Sequence, residues 1–88
     1  MDGMHLVLAC SDGKRWERTV SAVTLPGEQG SLGVLRGHAP LLCALREGTL
    51  SCRSESGESW RFRVSEGIAR VADDEVTVLL RYMEPLEE

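Results

Sequence analysis

The chain has 88 residues, of which 42% are hydrophobic, 27% charged and only 5% aromatic. This length allows roughly one domain, and no stretch provides the about 20 apolar residues that a membrane-spanning helix needs. Ten basic and fourteen acidic residues give a net charge of −4. That balance argues against a nucleic-acid-binding module, because phosphate backbones require concentrated positive charge.

Cysteine usage and the N-terminal sequence indicate the compartment. The three cysteines are an odd number, which does not suit a secreted disulfide framework. Asp2 makes the start of the chain acidic, and the apolar stretch Leu6–Cys10 is too short for a secretory signal. We therefore expect a cytosolic protein with reduced thiols.

Apolar residues of the N-terminal third recur at the spacing of strands. Met4–Cys10 is almost entirely apolar, which predicts a strand covered on both sides. Trp16 and Val20 are at even positions, whereas the apolar residues that follow, at positions 23 and 25, are at odd ones. A one-residue shift would turn one set toward solvent, so we predict a β-bulge near Ser21 and Ala22.

The rest of the chain continues in short strands. Trp60–Val64 alternates large apolar residues with arginines, which predicts a core face and a solvated face rather than a base-stacking strand. Leu50 and Cys52 alternate with polar neighbours, and Val76–Leu80 is rich in β-branched residues. Turn signals recur between these runs, the last three at intervals of nine and ten residues, and they predict an all-β sandwich or barrel. They are Asp12-Gly13, Pro26-Gly27, Glu47-Gly48, Ser56-Gly57 and Glu66-Gly67.

Two segments depart from this strand pattern. Residues 26–40 contain four of the nine glycines and are predicted to form an irregular loop. The segment from Tyr82 to Glu88 is predicted to be a frayed end. We accordingly divide the chain into a β-sandwich domain over residues 1–82 and an acidic C-terminal tail over residues 83–88.

The glycine-rich segment does not match a nucleotide-binding loop. Gly27, Gly30 and Gly33 recur every third residue, but neither a Gly-Lys-Ser/Thr end nor a helical pattern follows them. A phosphate cradle needs backbone amides that converge at a helix N-terminus. We interpret the segment as a structural loop and expect no cofactor.

The residue spacing indicates neither a metal site nor a nucleophilic centre. Cys10, Cys43, Cys52, His5 and His38 include no Cys-x-x-Cys or His-x-x-x-His pair, the local spacing that structural zinc sites use. Cys43 follows His38 by five residues, but nothing marks an oxyanion hole or an activated thiolate. We therefore predict no metal site and no catalytic residue.

The segment Gly37–Leu42 carries the clearest sign of a binding surface. Pro40 restricts Ala39 to extended geometry, so a strand is expected to start here. Leu41 and Leu42 then point to opposite faces, and one of them is expected to be exposed. An exposed apolar patch on a small domain indicates a protein partner.

A longer motif around this segment resembles a known family. Leu25–Leu42, with the sequence LPGEQGSLGVLRGHAPLL, is similar to the signature of the epsilon subunit of F-type ATP synthases. Glu47–Leu50 resembles that family's turn into its middle strand, and Ser65–Ile68 and Val76–Leu79 resemble its last two strands. The resemblance covers essentially the whole chain in the family's order.

The resemblance implies a flattened ten-stranded β-sandwich at the foot of the central stalk. It implies a non-catalytic rotor subunit that links the gamma subunit to the c-ring and couples proton transport to ATP synthesis. The complex would lie at the cytoplasmic face of the plasma membrane, with no membrane insertion of this chain itself. Carried over by position, the gamma-binding residues are Cys10, His38, Ala39, Pro40, Leu41, Leu42 and Cys43, and the c-ring-binding residues are Glu28, Gln29, Gly30 and Ser31.

Three positions depart from the family's pattern. Ser31 stands where many members have an acid, Arg36 replaces a usual proline, and Glu66 replaces a frequent glycine. The sequence also stops before the C-terminal helical hairpin of most members, so its regulation is expected to be absent unless the chain is truncated. These departures leave a second hypothesis open, a free-standing β-sandwich adapter for another protein partner.

Overall fold

The computed structural model describes residues 3–86, and every regular element in that range is a β-strand. The chain runs through β1 (Met4–Cys10), β2 (Arg15–Val20), β3 (Ala22–Gly27), β4 (Gly30–Leu35), β5 (Leu41–Leu45), β6 (Gly48–Arg53), β7 (Ser59–Val64), β8 (Gly67–Ala72), β9 (Glu75–Leu80) and β10 (Met83–Pro85). The predicted all-β class with about ten short strands is confirmed. Residues 3–86 include no helix long and apolar enough to span a membrane.

The strands form one curled sheet in the order β10-β7-β6-β3-β5-β8-β9-β1-β2, with β4 on β3 alone. β1 and β9 run parallel, and the other paired strands run antiparallel. β2 and β7 stand near opposite ends of this order, yet the ring centroid of Trp16 lies 4.9 Å from that of Phe62. The sheet therefore folds over into two packed layers, which confirms the predicted β-sandwich.

The two layers meet along a narrow link. We call β5, β8, β9, β1 and β2 the front layer, and β10, β7, β6, β3 and β4 the back layer. β3 pairs with β5 only where Gly27 stands opposite Leu45. Alternating apolar side chains from both layers fill the space between them. The fully buried ones include Leu6, Leu8, Val76 and Val78 from the front layer and Val23, Leu25, Leu50 and Val64 from the back layer.

β7 shows the two faces that its alternation predicts. Phe62 and Val64 are buried, whereas Arg61 and Arg63 are exposed on the outer side. Trp60 packs half-buried against the core. Burying such large apolar side chains stabilises a fold by about 1.5–3 kcal/mol each.

Residues 26–40, predicted to form an irregular loop, instead contain the turn and the second strand of a β-hairpin. β3 and β4 pair along their whole length, and Gly27 stands opposite Gly30 beside the turn. A Cβ on Gly27 would lie 2.7 Å from the carbonyl oxygen of Gly30, so only glycine fits there. Glycines occupy two of the six positions of β4, and because glycine is depleted in strands the sequence suggests a loop there.

The predicted β-bulge near Ser21 and Ala22 is wrong, because the chain changes strand there. β2 ends at Val20 and pairs with β1, whereas β3 begins at Ala22 and pairs with β4 and β6. The backbone amide and the hydroxyl of Ser21 both donate to the carbonyl of Arg53, at 2.7 and 3.1 Å. The apolar residues change from even to odd positions because the chain crosses from the front layer to the back layer, and the core lies on the opposite side of the back layer.

The frayed end predicted from Tyr82 is wrong for residues 83–85, which form β10. Met83 stands opposite Val64 of β7 and is buried. Leu86 also donates its amide to the carbonyl of Arg61 at 2.8 Å. The last residues of the predicted tail, 87 and 88, lie outside the described range.

A buried serine anchors this C-terminal strand. The Oγ of Ser65 accepts the amide of Arg81 at 2.9 Å and the amide of Tyr82 at 3.2 Å. Its hydroxyl donates to the carbonyl of Glu66 at 2.9 Å. Ser65 is the one fully buried polar side chain among the described residues, so the turn into β10 depends on it.

Candidate protein-binding surface

β5 presents one leucine to the core and one to solvent, as its sequence predicts. Leu41 packs against the core, and Leu42 is 66% exposed on the outer face of the front layer. Cys43 follows Leu41 inward, whereas Ala44 follows Leu42 outward. Alternation along one strand therefore separates the predicted binding residues into a supporting set and a surface set.

The strand register gives Leu42 apolar neighbours on the same face. Ala44 stands opposite Ile68 of β8, which stands opposite Leu79 of β9. Ile68 is 40% exposed and Leu79 is 52% exposed. We call Leu42, Ala44, Ile68 and Leu79 the apolar face; such a cluster on a small domain marks an interaction surface.

A shallow groove borders the apolar face at the start of β5. Its volume is about 360 Å³, and its walls are Pro40, Leu41, Leu42, Arg70, Val71 and Ala72. Leu42 stands directly opposite Arg70 across the β5–β8 pair. The groove therefore joins three of the predicted binding residues to an exposed cation of the next strand.

His38 and Ala39 lie in the loop that leads into β5. The amide of His38 donates to the carbonyl of Leu35 at 3.0 Å, and its Nδ1 lies 2.7 Å from the carbonyl oxygen of Ala39. The amide of Gly37 donates to the carboxylate of Asp74 at 2.7 Å. The bond of Gly37 ties the loop to the β8–β9 turn, and the contacts of His38 hold the loop itself in shape beside the groove.

Cys10 does not join the other predicted gamma-binding residues. It is buried at the end of β1, three strands away from β5 in the sheet order. Its partner on β9 is Leu80, which stands opposite Gly67 of β8, and Gly67 stands opposite Leu45. Cys10 is therefore level with the end of β5, and its thiol, whose pKa burial raises, faces the core.

The predicted c-ring-binding residues form the exposed tip of the β3–β4 hairpin. Glu28 and Gln29 make the turn, and the amide of Glu28 donates to the carbonyl of Ala44 at 3.0 Å. The tip and the β5 residues Cys43 and Ala44 enclose an open cavity of about 460 Å³. The two predicted contact sites are thus adjacent, and β5 is common to both.

Polar side chains limit the apolar face on its β1–β2 side. The Nε2 of His5 lies 2.7 Å from Oε1 of Glu17, and the Nε of Arg15 donates to Oε2 of the same carboxylate at 2.8 Å. The Arg15 guanidinium and the His5 ring hold the pKa of Glu17 below its usual range. This charged cluster is well solvated, so it sets an edge to the surface.

No group of three metal-ligating side chains converges among residues 3–86. The thiols of Cys10, Cys43 and Cys52 are all free, and burial raises the pKa of each. Raised thiol pKa values are the opposite of what a nucleophilic cysteine needs. The described residues thus offer a surface for another protein more readily than a reaction centre.

Ile68 and Leu79 are the surface residues that the sequence does not reveal. Leu79 lies in an apolar run between the buried Val78 and Leu80, and Ile68 directly precedes the buried Ala69. Such a run is equally typical of a strand covered on both faces. Only the register, which places Ile68 opposite Ala44 and Leu79 opposite Ile68, shows that they form one exposed surface.

Comparison with known proteins agrees with this architecture. A family model described as ATP synthase, Delta/Epsilon chain, beta-sandwich domain matches residues 3–86. An ATP synthase epsilon chain of a Nostoc species is 42% identical over 66 residues, which cover 74% of this chain and 48% of the relative. An ATP synthase epsilon chain of a Nitratiruptor species is 32% identical over 87 residues, covering 99% of this chain and 67% of the relative.

Solved structures show the same fold. A chain in the mitochondrial ATP synthase of Euglena gracilis, solved with OSCP, F1 and c-ring, superposes with a TM-score of 0.90 and 30% identity. The match covers all of this chain and 56% of that one. The chain spans about half the length of several curated relatives that it matches. It belongs to the ATP synthase delta/epsilon family and forms the β-sandwich domain of that family.

Proposed function

We propose that the chain is a non-catalytic rotor element, the epsilon subunit that joins the gamma subunit to the c-ring of an F-type ATP synthase. The family assignment over residues 3–86 supports this role. The observation that carries it is the apolar face beside the exposed hairpin tip, because one strand, β5, supports both surfaces.

The gamma subunit would cover the apolar face and the neighbouring groove. Leu42, Ile68 and Leu79 expose apolar area that a partner would remove from water. Leu41 and Cys43 hold the surface from beneath, and His38 to Pro40 form its border. Cys10, three strands away from β5 in the same layer and turned inward, would support this interface and not contact gamma directly.

The c-ring would meet the hairpin tip formed by Glu28, Gln29, Gly30 and Ser31. All four residues are exposed. The carboxylate of Glu28 gives the tip a negative charge, whereas Ser31 contributes a neutral hydroxyl. The tip is tied to β5 through the amide of Glu28 and to the next turn through the carbonyl of Pro26, which accepts the amide of Arg46 at 2.9 Å. A tip fixed in this way transmits force without bending.

In this role the chain transmits torque and performs no reaction. A sandwich with a continuous buried core resists deformation, which suits a wedge between a turning shaft and a ring. The complex would hold it at the cytoplasmic side of the membrane, where rotation couples proton transport to ATP synthesis. No cofactor is needed for such a mechanical role.

Co-elution with the cognate gamma subunit tests the proposal. The purified chain and gamma are mixed at equal concentrations and separated by size exclusion, with circular dichroism to verify that both are folded. A shared peak of one-to-one composition is expected, and adding detergent-solubilised c-ring should shift that peak to larger size. Two folded proteins that elute separately would contradict the proposal and favour the adapter hypothesis.

A further inference from the structure

Arg70 of β8 is a charged residue that stands among the members of the apolar face. It lies directly opposite Leu42 of β5 on one side and Thr77 of β9 on the other. Ile68 lies two residues before it on the same face of β8, and Leu79 occupies a diagonal position on β9. Members of the apolar face therefore flank Arg70 on both neighbouring strands and on its own strand.

A partner that covers the apolar face must also cover Arg70. Neighbouring strands lie about 4.8 Å apart, so Leu42 and Leu79 are about 10 Å apart across the sheet, with β8 between them. The shallow groove at the start of β5 has Arg70 as one wall and otherwise apolar walls, so it continues the apolar surface beyond the guanidinium. Covering both surfaces therefore removes this guanidinium from bulk water.

The chain itself does not compensate this charge. In the part of the chain that the structure describes, the Arg70 guanidinium makes no ion pair and no hydrogen bond. The acidic residue of the adjacent strand on the same face, Glu75, is directed to His5, with 3.9 Å between its Oε2 and Nδ1 of the ring. The carboxylate of Glu17 likewise contacts His5 and Arg15. Arg70 is thus available to a group that a partner provides.

The cost of desolvation decides what the partner must provide. Removing an ionised group from water is unfavourable unless an opposite charge and hydrogen bonds replace the lost hydration. A carboxylate accepts two parallel hydrogen bonds from the planar guanidinium, which gives such a pair both strength and a defined geometry. An apolar or cationic partner surface at this point would leave the charge of Arg70 buried and uncompensated.

We propose that the surface of gamma that covers the apolar face carries a carboxylate side chain, which forms a bidentate ion pair with Arg70. This inference rests on the proposed rotor role, because gamma is the partner which that role assigns to the apolar face. It adds the chemistry of recognition: the apolar contacts around Arg70 supply the buried area, and the ion pair determines the orientation of the partner. A surface with a lysine or arginine at that point would be rejected.

Replacement of Arg70 by methionine tests the ion pair, because methionine is also long and unbranched but carries no charge. Binding to immobilised cognate gamma is measured after circular dichroism verifies that each variant is folded. Arg70→Met should weaken gamma binding about 30-fold or more, because it leaves the carboxylate of gamma buried and unpaired. Arg53→Met is the matched control, since Arg53 is exposed on β6 of the back layer. It should bind within about twofold of the unmodified chain.

Arg70→Lys locates the carboxylate on gamma. Lys14 is the one lysine of the sequence, so this variant adds a second lysine amine at the proposed contact. Zero-length carbodiimide coupling joins an amine to a carboxylate only where the two are in contact, and mass spectrometry of the digested product identifies both residues. A crosslink between position 70 and an acidic residue of gamma is expected. Arg53→Lys should give no crosslink to gamma from position 53.

Two results would overturn the ion pair while the rotor role stands. One is binding of Arg70→Met to gamma as tightly as, or more tightly than, the unmodified chain, which would mean that gamma is apolar at this point. The other is binding of Arg70→Lys to gamma without a crosslink from position 70. Failure of the folded, unmodified chain to bind gamma would instead contradict the rotor role, and the ion pair with it.

Discussion

Gly67 lies so close to β9 that a Cβ at its position would overlap the carbonyl oxygen of Leu79. The two residues belong to the β8–β9 pair that carries Ile68 and Leu79 of the apolar face. The absence of a side chain at Gly67 lets the strands approach at the end of the pair. The position of that face therefore depends on a glycine.

Gly67→Ala is predicted to lower the free energy of unfolding by about 1–3 kcal/mol, because the added methyl forces backbone movement in a packed sheet. Urea unfolding followed by circular dichroism measures the change. Gly33→Ala is the matched control, since a Cβ at Gly33 meets no atom within 4 Å. It should leave stability unchanged or raise it by up to about 1 kcal/mol. Equal destabilisation by both substitutions would contradict this explanation.

Ser65→Ala is predicted to cost about 1–3 kcal/mol of unfolding free energy. The change removes the acceptor that the amides of Arg81 and Tyr82 share, and leaves two part-buried donors without it. Hydrogen exchange at Met83 and Glu84 should accelerate more than exchange in β1. Ser56→Ala, in an exposed turn, should change stability by less than about 0.5 kcal/mol. Unchanged exchange in β10 would show that Ser65 does not anchor it.

The stability of the fold is predicted to fall as the pH rises above about 9. Burial raises the pKa of the Cys52 thiol from its ordinary value of 9.0 to about 11. The folded state therefore keeps the thiol proton up to a higher pH than the unfolded state. The resulting contribution to the free energy of unfolding is complete below about pH 9 and is lost as the pH approaches about 11. Urea unfolding in reducing buffer at about pH 8 and about pH 10.5 measures the loss.

Cys52→Ala provides the comparison for this pH dependence. The variant keeps Cys10 and Cys43, so their ionisation contributes equally in both proteins. Its unfolding free energy should fall less between the two pH values than that of the unmodified chain. An identical fall would mean that the Cys52 thiol does not contribute.

The strands of this fold are predictable from the sequence where one face is exposed to solvent and the other is buried. Trp60–Val64 shows its arginines outward and its large apolar residues inward, and the structure agrees. β4 is predicted as loop because two of its six residues are glycines, which are depleted in strands. β10 is missed because the hydrogen bond that leads the chain into it joins Arg81 to Ser65, sixteen positions earlier. The local pattern of apolar residues does not indicate such a contact.

The binding surface was only partly predictable for a related reason. Adjacent leucines on one strand must diverge, so an exposed residue at position 41 or 42 follows from strand geometry alone. The grouping of Leu42 with Ile68 and Leu79 needs the order and register of β5, β8 and β9. The inward position of Cys10 likewise follows from the parallel pairing of β1 with β9, which no local pattern specifies.

The most direct test of the rotor role compares two leucines of similar exposure on different layers. Leu42 is 66% exposed on the apolar face, and Leu35 is 62% exposed on β4 of the back layer. Each is replaced by aspartate, and binding to immobilised gamma subunit is measured for both variants after circular dichroism verifies their folds. Neither change should alter stability by more than about 0.5 kcal/mol.

Leu42→Asp is predicted to weaken gamma binding by about 2–4 kcal/mol, which is about 30-fold to 800-fold in Kd, because it places a charge in a desolvated interface. Leu35→Asp should bind as the unmodified chain does. Full affinity of folded Leu42→Asp for gamma, or an equal loss in both variants, would contradict the account.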